Sequence, residues 1–253
     1  MFNQVIKNLI AISGILIMSA TSFANQKVNV VGKAYSAVDD KLLYTEEHSY
    51  IDDSSHQVIY KEPDGSVFAV KELNYGQNAS APGFVQRNKR VGEVIEVNIN
   101  NRVIESFYQK TPQNTPRVKQ LDLESRNDEA LVIDAGFDHF VRSKWENLQR
   151  GEKVDFFYLI PTRQRLVTLT IKRMDCREGP IPESDRTESA SETSCFHIAP
   201  ESLFLRMLVR PIYLTYDNRK HLQIFYGRSN IANAQGKYQD VSIYYQHLED
   251  DNS

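Results

Sequence analysis

Residues 92–108 read GEVIEVNINNRVIESFY, and this stretch decides the fold class. Between Glu93 and Asn100 the apolar side chains of Ile95, Val97 and Ile99 alternate with Glu96, Asn98 and Asn100. Successive side chains of a strand point to opposite faces, so this strand has one dry face and one wet face. Asn100-Asn101 suits a tight turn, and Arg102 to Tyr108 returns as the antiparallel partner.

The same pattern extends in both directions. Val28 to Ser36 and Leu42 to Tyr50 flank Asp39-Asp40, while Gln57 to Lys61 and Val67 to Tyr75 flank Glu62-Pro63-Asp64-Gly65. In that second turn the proline presets φ and the glycine accepts φ > 0. Downstream, Val154 to Ile160, Arg165 to Arg173, Ile212 to Tyr216, Leu222 to Tyr226 and Val241 to Gln246 read as further strands.

One helix interrupts them, from about Ala135 to Arg150, with Asp134 expected as its N-cap and Gly151 as its stop. Phe137, Val141, Lys144/Trp145 and Leu148 form its apolar stripe, widened by Phe140. Asp138 with Arg142 and Glu146 with Arg150 are acid-before-base pairs that suit a solvated opposite face. A shorter helix is expected from Glu201 to Val209, closed by Pro211. Strands on both sides of one helix predict a β-rich α+β fold: a large curved antiparallel sheet, an incomplete barrel, with one main helix packed on it.

The chain has 253 residues, 41% of them hydrophobic and 25% charged, which excludes a disordered or collagenous protein. Its long apolar run is confined to Leu9–Met18, after Lys7 and before the small-residue segment Ser19 to Ala24. Ten residues fall short of the ~20 that span a hydrocarbon core. Residues 1–24 are therefore expected to be a cleaved signal peptide that sends the protein to the periplasm, with no membrane span after cleavage. Removing them deletes one lysine and no acid, leaving 29 basic and 33 acidic residues and a formal charge of −4. A net acidic chain makes nucleic acid an unsuitable partner. The remainder is expected to form one β-rich globular domain, residues 25–247, followed by a loose acidic tail, 248–253.

Cys176 and Cys195 bound a polar segment, residues 177–194, that holds five acids, two arginines, two prolines and four serines. In an oxidising compartment this pair is expected to form a disulfide across a solvated loop.

No catalytic or metal motif stands out. The eleven glycines form no phosphate-cradling loop, and the six histidines show neither HxH nor HxxxH spacing, so no metal site or cofactor is expected. Two weaker clusters remain. Tyr44, Glu46, His48 and Tyr50 share a strand face by period two, a combination suited to binding a polar ligand or shuttling a proton. The plainer expectation for them is a solvent-facing strand. Asp134, Asp138 and His139 gather at the helix N-terminus, where capping and the macrodipole account for them. Phe137, Phe140, Val141 and Trp145 are the candidate lining of an apolar pocket between helix and sheet.

Two stretches carry a resemblance. The opening Gly32-Lys-Ala-Tyr35 through Leu43-Tyr44-Thr-Glu46-Glu-His48 is one. The ending Pro211-Ile-Tyr-Leu-Thr-Tyr216 through Tyr226-Gly227-Arg-Ser-Asn-Ile231 to Gly236-Lys-Tyr238-Gln-Asp240-Val241 is the other. Together they resemble an uncharacterised family of exported proteins of Gram-negative bacteria, a domain of unknown function. In architecture, the strand-helix-strand order is similar to the periplasmic lipoprotein-carrier proteins, whose incomplete barrel and helical lid enclose an acyl-binding cavity. The leader, the β-rich frame and the aromatic helix face point to a non-enzymatic periplasmic binding or carrier protein, with an apolar small molecule or lipid held between the sheet and the helix. The alternatives are an envelope protein-protein interaction module and an enzyme without a recognisable motif.

Overall fold

The computed structural model describes residues 26–100, 102–123, 130–181, 193–200 and 210–248. The leader, the centre of the Cys-bounded loop, the helix expected over 201–209 and the tail after Leu248 lie outside these residues.

Among the described residues, fifteen strands form one sheet in the order β8-β7-β6-β5-β4-β3-β2-β1-β15-β14-β13-β12-β11-β10-β9. The first half is a meander: β1 (Val30–Ser36), β2 (Leu42–Tyr50), β3 (Ser55–Lys61), β4 (Val67–Asn74), β5 (Gly83–Asn88), β6 (Glu93–Asn100), β7 (Val103–Gln109) and β8 (Arg117–Asp122). The second runs through β9 (Leu131–Val132), β10 (Val154–Ile160), β11 (Arg165–Met174), β12 (Ser194–Ala199), β13 (Ile212–Tyr216), β14 (Leu222–Ala232) and β15 (Tyr238–His247). The halves join where β1 pairs with β15, from Val30↔His247 to Ser36↔Val241. Every pairing is antiparallel except that of β9 with β10.

Turn residues adopt the backbone that their chemistry allows: Gly65 at φ 88° and Gly236 at φ 69° sit in hairpin connections where a side chain at Cβ is disfavoured. Strand bounds over 92–109 follow the alternation, with Glu93, Ile95 and Val97 buried, although Ile99 emerges at the hairpin tip.

The sheet curls enough to bring distant strands face to face. Beyond Arg228, β14 slips out of regular register with β15, and such a bulge bends a strand. The freed carbonyls of Asn230 and Ala232 accept hydrogen bonds from Gln86 Nε2 (3.1 Å) and Asn88 Nδ2 (2.8 Å) on β5. Nearby, the Tyr238 hydroxyl of β15 donates to Glu93 Oε1 of β6 at 2.6 Å. At the far seam, Gln164, in the turn between β10 and β11, donates from Nε2 to the carbonyls of Ser106 (2.7 Å) and Arg117 (3.0 Å) on β7 and β8. These side chains close the curl where strand pairing does not.

Strands β5, β8 and β12 escape a reading by alternation for identifiable reasons. On β5 the inward positions include Gln86 and Asn88, polar residues used in the cross-barrel bonds. Every residue of β8 except Leu121 is exposed, so no apolar face marks it. Cys195 lies inside β12, paired with Met174 and Thr215, rather than at a loop mouth. Its disulfide to Cys176 spans a Cα–Cα distance of 5.2 Å.

The expected helix is present in two pieces, α1 (Gly136–Ser143) and α2 (Trp145–Gln149). Ser143 Oγ bonds back to the carbonyl of Phe140 at 2.8 Å, a local competition with the helix ladder of the kind that bends helices. Asp134 is not the N-cap; that position belongs to Ala135, which has no side-chain cap, and Asp134 adopts φ 44° to reach another partner. Two hydrophobic clusters fill the curl. One is built mainly on β1–β7 around Tyr60, Phe84, Val97 and Ile104; the other joins α1 and α2 to β10–β14.

Candidate functional site

A cavity of about 180 Å³ lies at the junction of the two clusters, partly open to solvent. Strands β1 to β4 supply one wall, β10 and β13 to β15 the other, and the first turn of α1 closes one end with Phe137, Asp138 and His139. Its apolar surface includes Val58, Phe137, Leu214, Phe225 and Ile243. Its polar lining includes Glu46, His48, His56, Lys71 and Asp134, and Val58 is the direct cross-strand partner of His48.

The strand face of Tyr44, Glu46, His48 and Tyr50 therefore points inward, which corrects the plainer expectation of a solvent-facing strand. β2 lies near the middle of the sheet, and the curl makes this its concave side. Tyr44 and Glu46 are buried, His48 is partly buried, and Tyr50 at the rim is 50% exposed. Glu46, His48 and Tyr50 line the cavity; Tyr44 lies deeper, beside Tyr60 and Phe68.

Glu46 Oε1 accepts from the Tyr245 hydroxyl at 2.8 Å, and His48 Nε2 lies 3.3 Å from the same oxygen. Burial alone would raise the Glu46 carboxyl, but His48, Tyr245 and the charge of Lys71 outweigh it and hold it below the ordinary glutamate value. The His48 approach is close but is not a hydrogen bond: His48 Nε2 is buried with no hydrogen-bond partner among the described residues. His56 Nε2 and His48 Nδ1 share a hydrogen bond at 3.0 Å, and His56 Nδ1 shares another with the Tyr75 hydroxyl at 3.3 Å. Tyr75, His56 and His48 thus form a hydrogen-bonded row that runs from the rim inward and ends beside Glu46. Burial pushes His56 down to about 2, so its ring stays neutral. Gly32 leaves room for Glu46 and Tyr245: a Cβ there would stand 2.7 Å from Glu46 Cγ and 2.9 Å from the Tyr245 ring.

Lys71 is the other buried charge. Its ammonium donates to both oxygens of Asp134, and the positive φ of Asp134 turns that carboxylate inward. Asp138 pairs with Arg142 through Oδ2, while its buried Oδ1 has no hydrogen-bond partner among the described residues. Tyr216 faces it; the two sense each other, yet neither closes a sound hydrogen bond. Burial, with the Asp138 charge, pushes the Tyr216 phenol far up.

Of the residues expected to line an apolar pocket, Phe137 alone reaches the cavity. Phe140, Val141 and Trp145 are packed into the second cluster; Trp145 meets Phe196 and Tyr216 edge-on at 5.4 and 5.6 Å. Sequence reasoning missed Lys71, His56 and His247. They come from separate strands, so no spacing rule unites them, although His56 could have been found on the inward phase of β3 with Val58 and Tyr60. Among the described residues no group of three or more His, Cys, Asp or Glu is placed to hold a metal ion, and no helix is long and apolar enough to cross a membrane.

No protein-family model matches the chain, and no curated protein does. Among solved structures, the chain is similar to a β-barrel-like protein of a domain of unknown function, DUF1849, from Brucella abortus. The two share 8% identity at a TM-score of 0.48, over 89% of this chain and 98% of that one.

Proposed function

We propose that this chain is an exported, non-enzymatic binding protein that takes a compact ligand into the cavity between its two hydrophobic clusters. One observation carries the reading: a cavity whose apolar lining is interrupted by a few polar groups held by hydrogen bonds, Glu46 to Tyr245 and His48 to His56. A few convergent polar groups in an otherwise apolar hollow are what fixes a ligand's orientation. The volume narrows the ligand, since a 150 Å³ cavity accommodates benzene whereas drug-sized ligands occupy roughly 300–1,000 Å³. At about 180 Å³ a substituted ring fits better than the long acyl chain of a lipid. Export rests on the leader, and the Cys176–Cys195 disulfide agrees with an oxidising compartment such as the periplasm.

Benzyl alcohol and phenol serve as first probes. Trp145 touches the cavity-lining Tyr216, so its emission reports occupancy. A saturable shift in the wild type, lost when Val58→Trp fills the hollow, is the expected result; no saturable change at millimolar probe overturns the reading.

A second reading draws on the row Tyr75, His56 and His48 that ends beside Glu46. Carboxylate–imidazole relays move protons in general acid–base catalysis, so this arrangement also suits an enzyme. Turnover lost in both Glu46→Gln and His48→Gln, with the fold intact, would favour it.

A further inference from the structure

Deepening the binding reading, and resting on it, we infer that the ligand is a small organic cation, an amine on an aromatic or alicyclic ring, with its ammonium directed at Glu46. The charge balance of the cavity points there. Lys71 is bound to Asp134, Arg142 to Asp138, and Arg228 to Asp240 at 2.9 Å. Each of those acids has its own lysine or arginine. Glu46 has none among the described residues: its one ionic contact is with His48, and the Lys71 ammonium that stands nearest in charge is occupied on both oxygens of Asp134.

The hydrogen-bond inventory agrees. An ammonium brings three donors and no acceptor, and a carboxylate offers about four lone-pair sites. The hydrogen bond to Glu46, from Tyr245, and the His48 contact both fall on Oε1, leaving Oε2 of this 3%-exposed residue without a donor among the described residues. Asp138, whose buried Oδ1 also has no hydrogen-bond partner among the described residues, lines the same cavity. Three of the surrounding histidines do not supply the missing charge. Burial lowers His56, His139 and His247 alike, so they remain neutral and offer aromatic surface. Tyr50, Tyr60 and Tyr245 add ring faces, which attract an organic cation through their quadrupoles. A carboxylate ligand would meet an unbalanced negative charge at Glu46, with the local lysine and arginines already engaged.

The test uses three ligands of matched size, benzylamine, benzyl alcohol and benzoate, titrated calorimetrically into the wild-type protein at pH 7.5 with Trp145 emission as a second readout. Benzylammonium is expected to bind at least about ten-fold more tightly than benzyl alcohol, the ratio set by one charged hydrogen bond, with benzoate weakest. Glu46→Gln is expected to erase that ratio while benzyl alcohol still binds. Equal binding of amine and alcohol, or a preference for benzoate, overturns the inference and leaves the binding reading standing. Binding of none of the three overturns both. The wild-type ratio decides the matter even if Glu46→Gln does not fold, and Asp138→Asn at the rim, expected to reduce the ratio in part, provides a second variant.

Discussion

Lys71 Nζ lies 2.6 and 2.7 Å from the two carboxylate oxygens of Asp134, joining β4 to the entrance of α1 inside the curl. Both side chains are almost wholly buried, and the ammonium also stands over the Tyr60 and Phe84 rings at 5.9 and 5.4 Å. The pair holds the first turn of the helix where it closes the cavity.

Removing one member leaves an uncompensated buried charge. Lys71→Met is expected to lower stability by about 3–5 kcal/mol in urea denaturation. The double variant Lys71→Met/Asp134→Asn should recover much of that loss, because asparagine tolerates positive φ and leaves no charge to compensate. A double variant no more stable than the single one would count against this account of the pair.

Acid should destabilise the fold through His56. Above its ordinary value near 6.5 the ring is neutral in both states; below it the unfolded chain takes up a proton that the folded protein, with His56 at about 2, refuses. Stability therefore falls as pH drops from 6.5 toward 2, by about 2–3 kcal/mol at pH 4.5 from this residue alone. Glu46, held below its ordinary value, adds its own loss at the acid end, as protonation removes the charge that His48 and Tyr245 stabilise. Chemical denaturation from pH 7.5 to 4.5 checks the slope, and His56→Gln should flatten it.

Two glycines fix close approaches at the site. At Gly136 a Cβ would stand 2.1 Å from the Ser80 carbonyl oxygen, which is backbone and cannot swing aside. Gly136→Ala should cost about 3 kcal/mol, at the upper end for overpacking, and lift α1 from the 80–82 turn. Gly32→Ala meets side chains instead, so a smaller loss of about 1–2 kcal/mol is expected, with Glu46 displaced from Tyr245. Thermal melts rank the two, and a Gly136→Ala protein as stable as wild type would refute the packing.

The disulfide closes a loop of nineteen residues of sequence separation onto β12. Replacing both cysteines with serine should lower stability by about 3 kcal/mol through the entropy returned to the unfolded chain. Equal denaturation midpoints with and without reductant would contradict that.

How legible the fold was depends on which face of each strand did the work. Ile95 and Val97 announce β6 because their partners across the interior are apolar. Gln86 and Asn88 hide β5 because their inward side chains bond to the carbonyls exposed by the bulge in β14, a geometry set by residues more than 140 positions away. The candidate site divides in the same manner. Tyr44, Glu46, His48 and Tyr50 were found as one face by the period of two, yet nothing in four residues tells which side of a sheet becomes concave.

From the chain alone came the alternation of strands, the turns, the helix with its apolar stripe and the pairing of Cys176 with Cys195, because each depends on chemistry local in sequence. Only the tertiary structure decided that the Glu46 face is interior, that Asp134 serves Lys71 rather than the helix end, and that Trp145 is core while Phe137 lines a cavity. Those outcomes depend on where a fifteen-stranded sheet curls and closes, and the curl is the sum of bulges and cross-barrel hydrogen bonds between residues far apart in the chain.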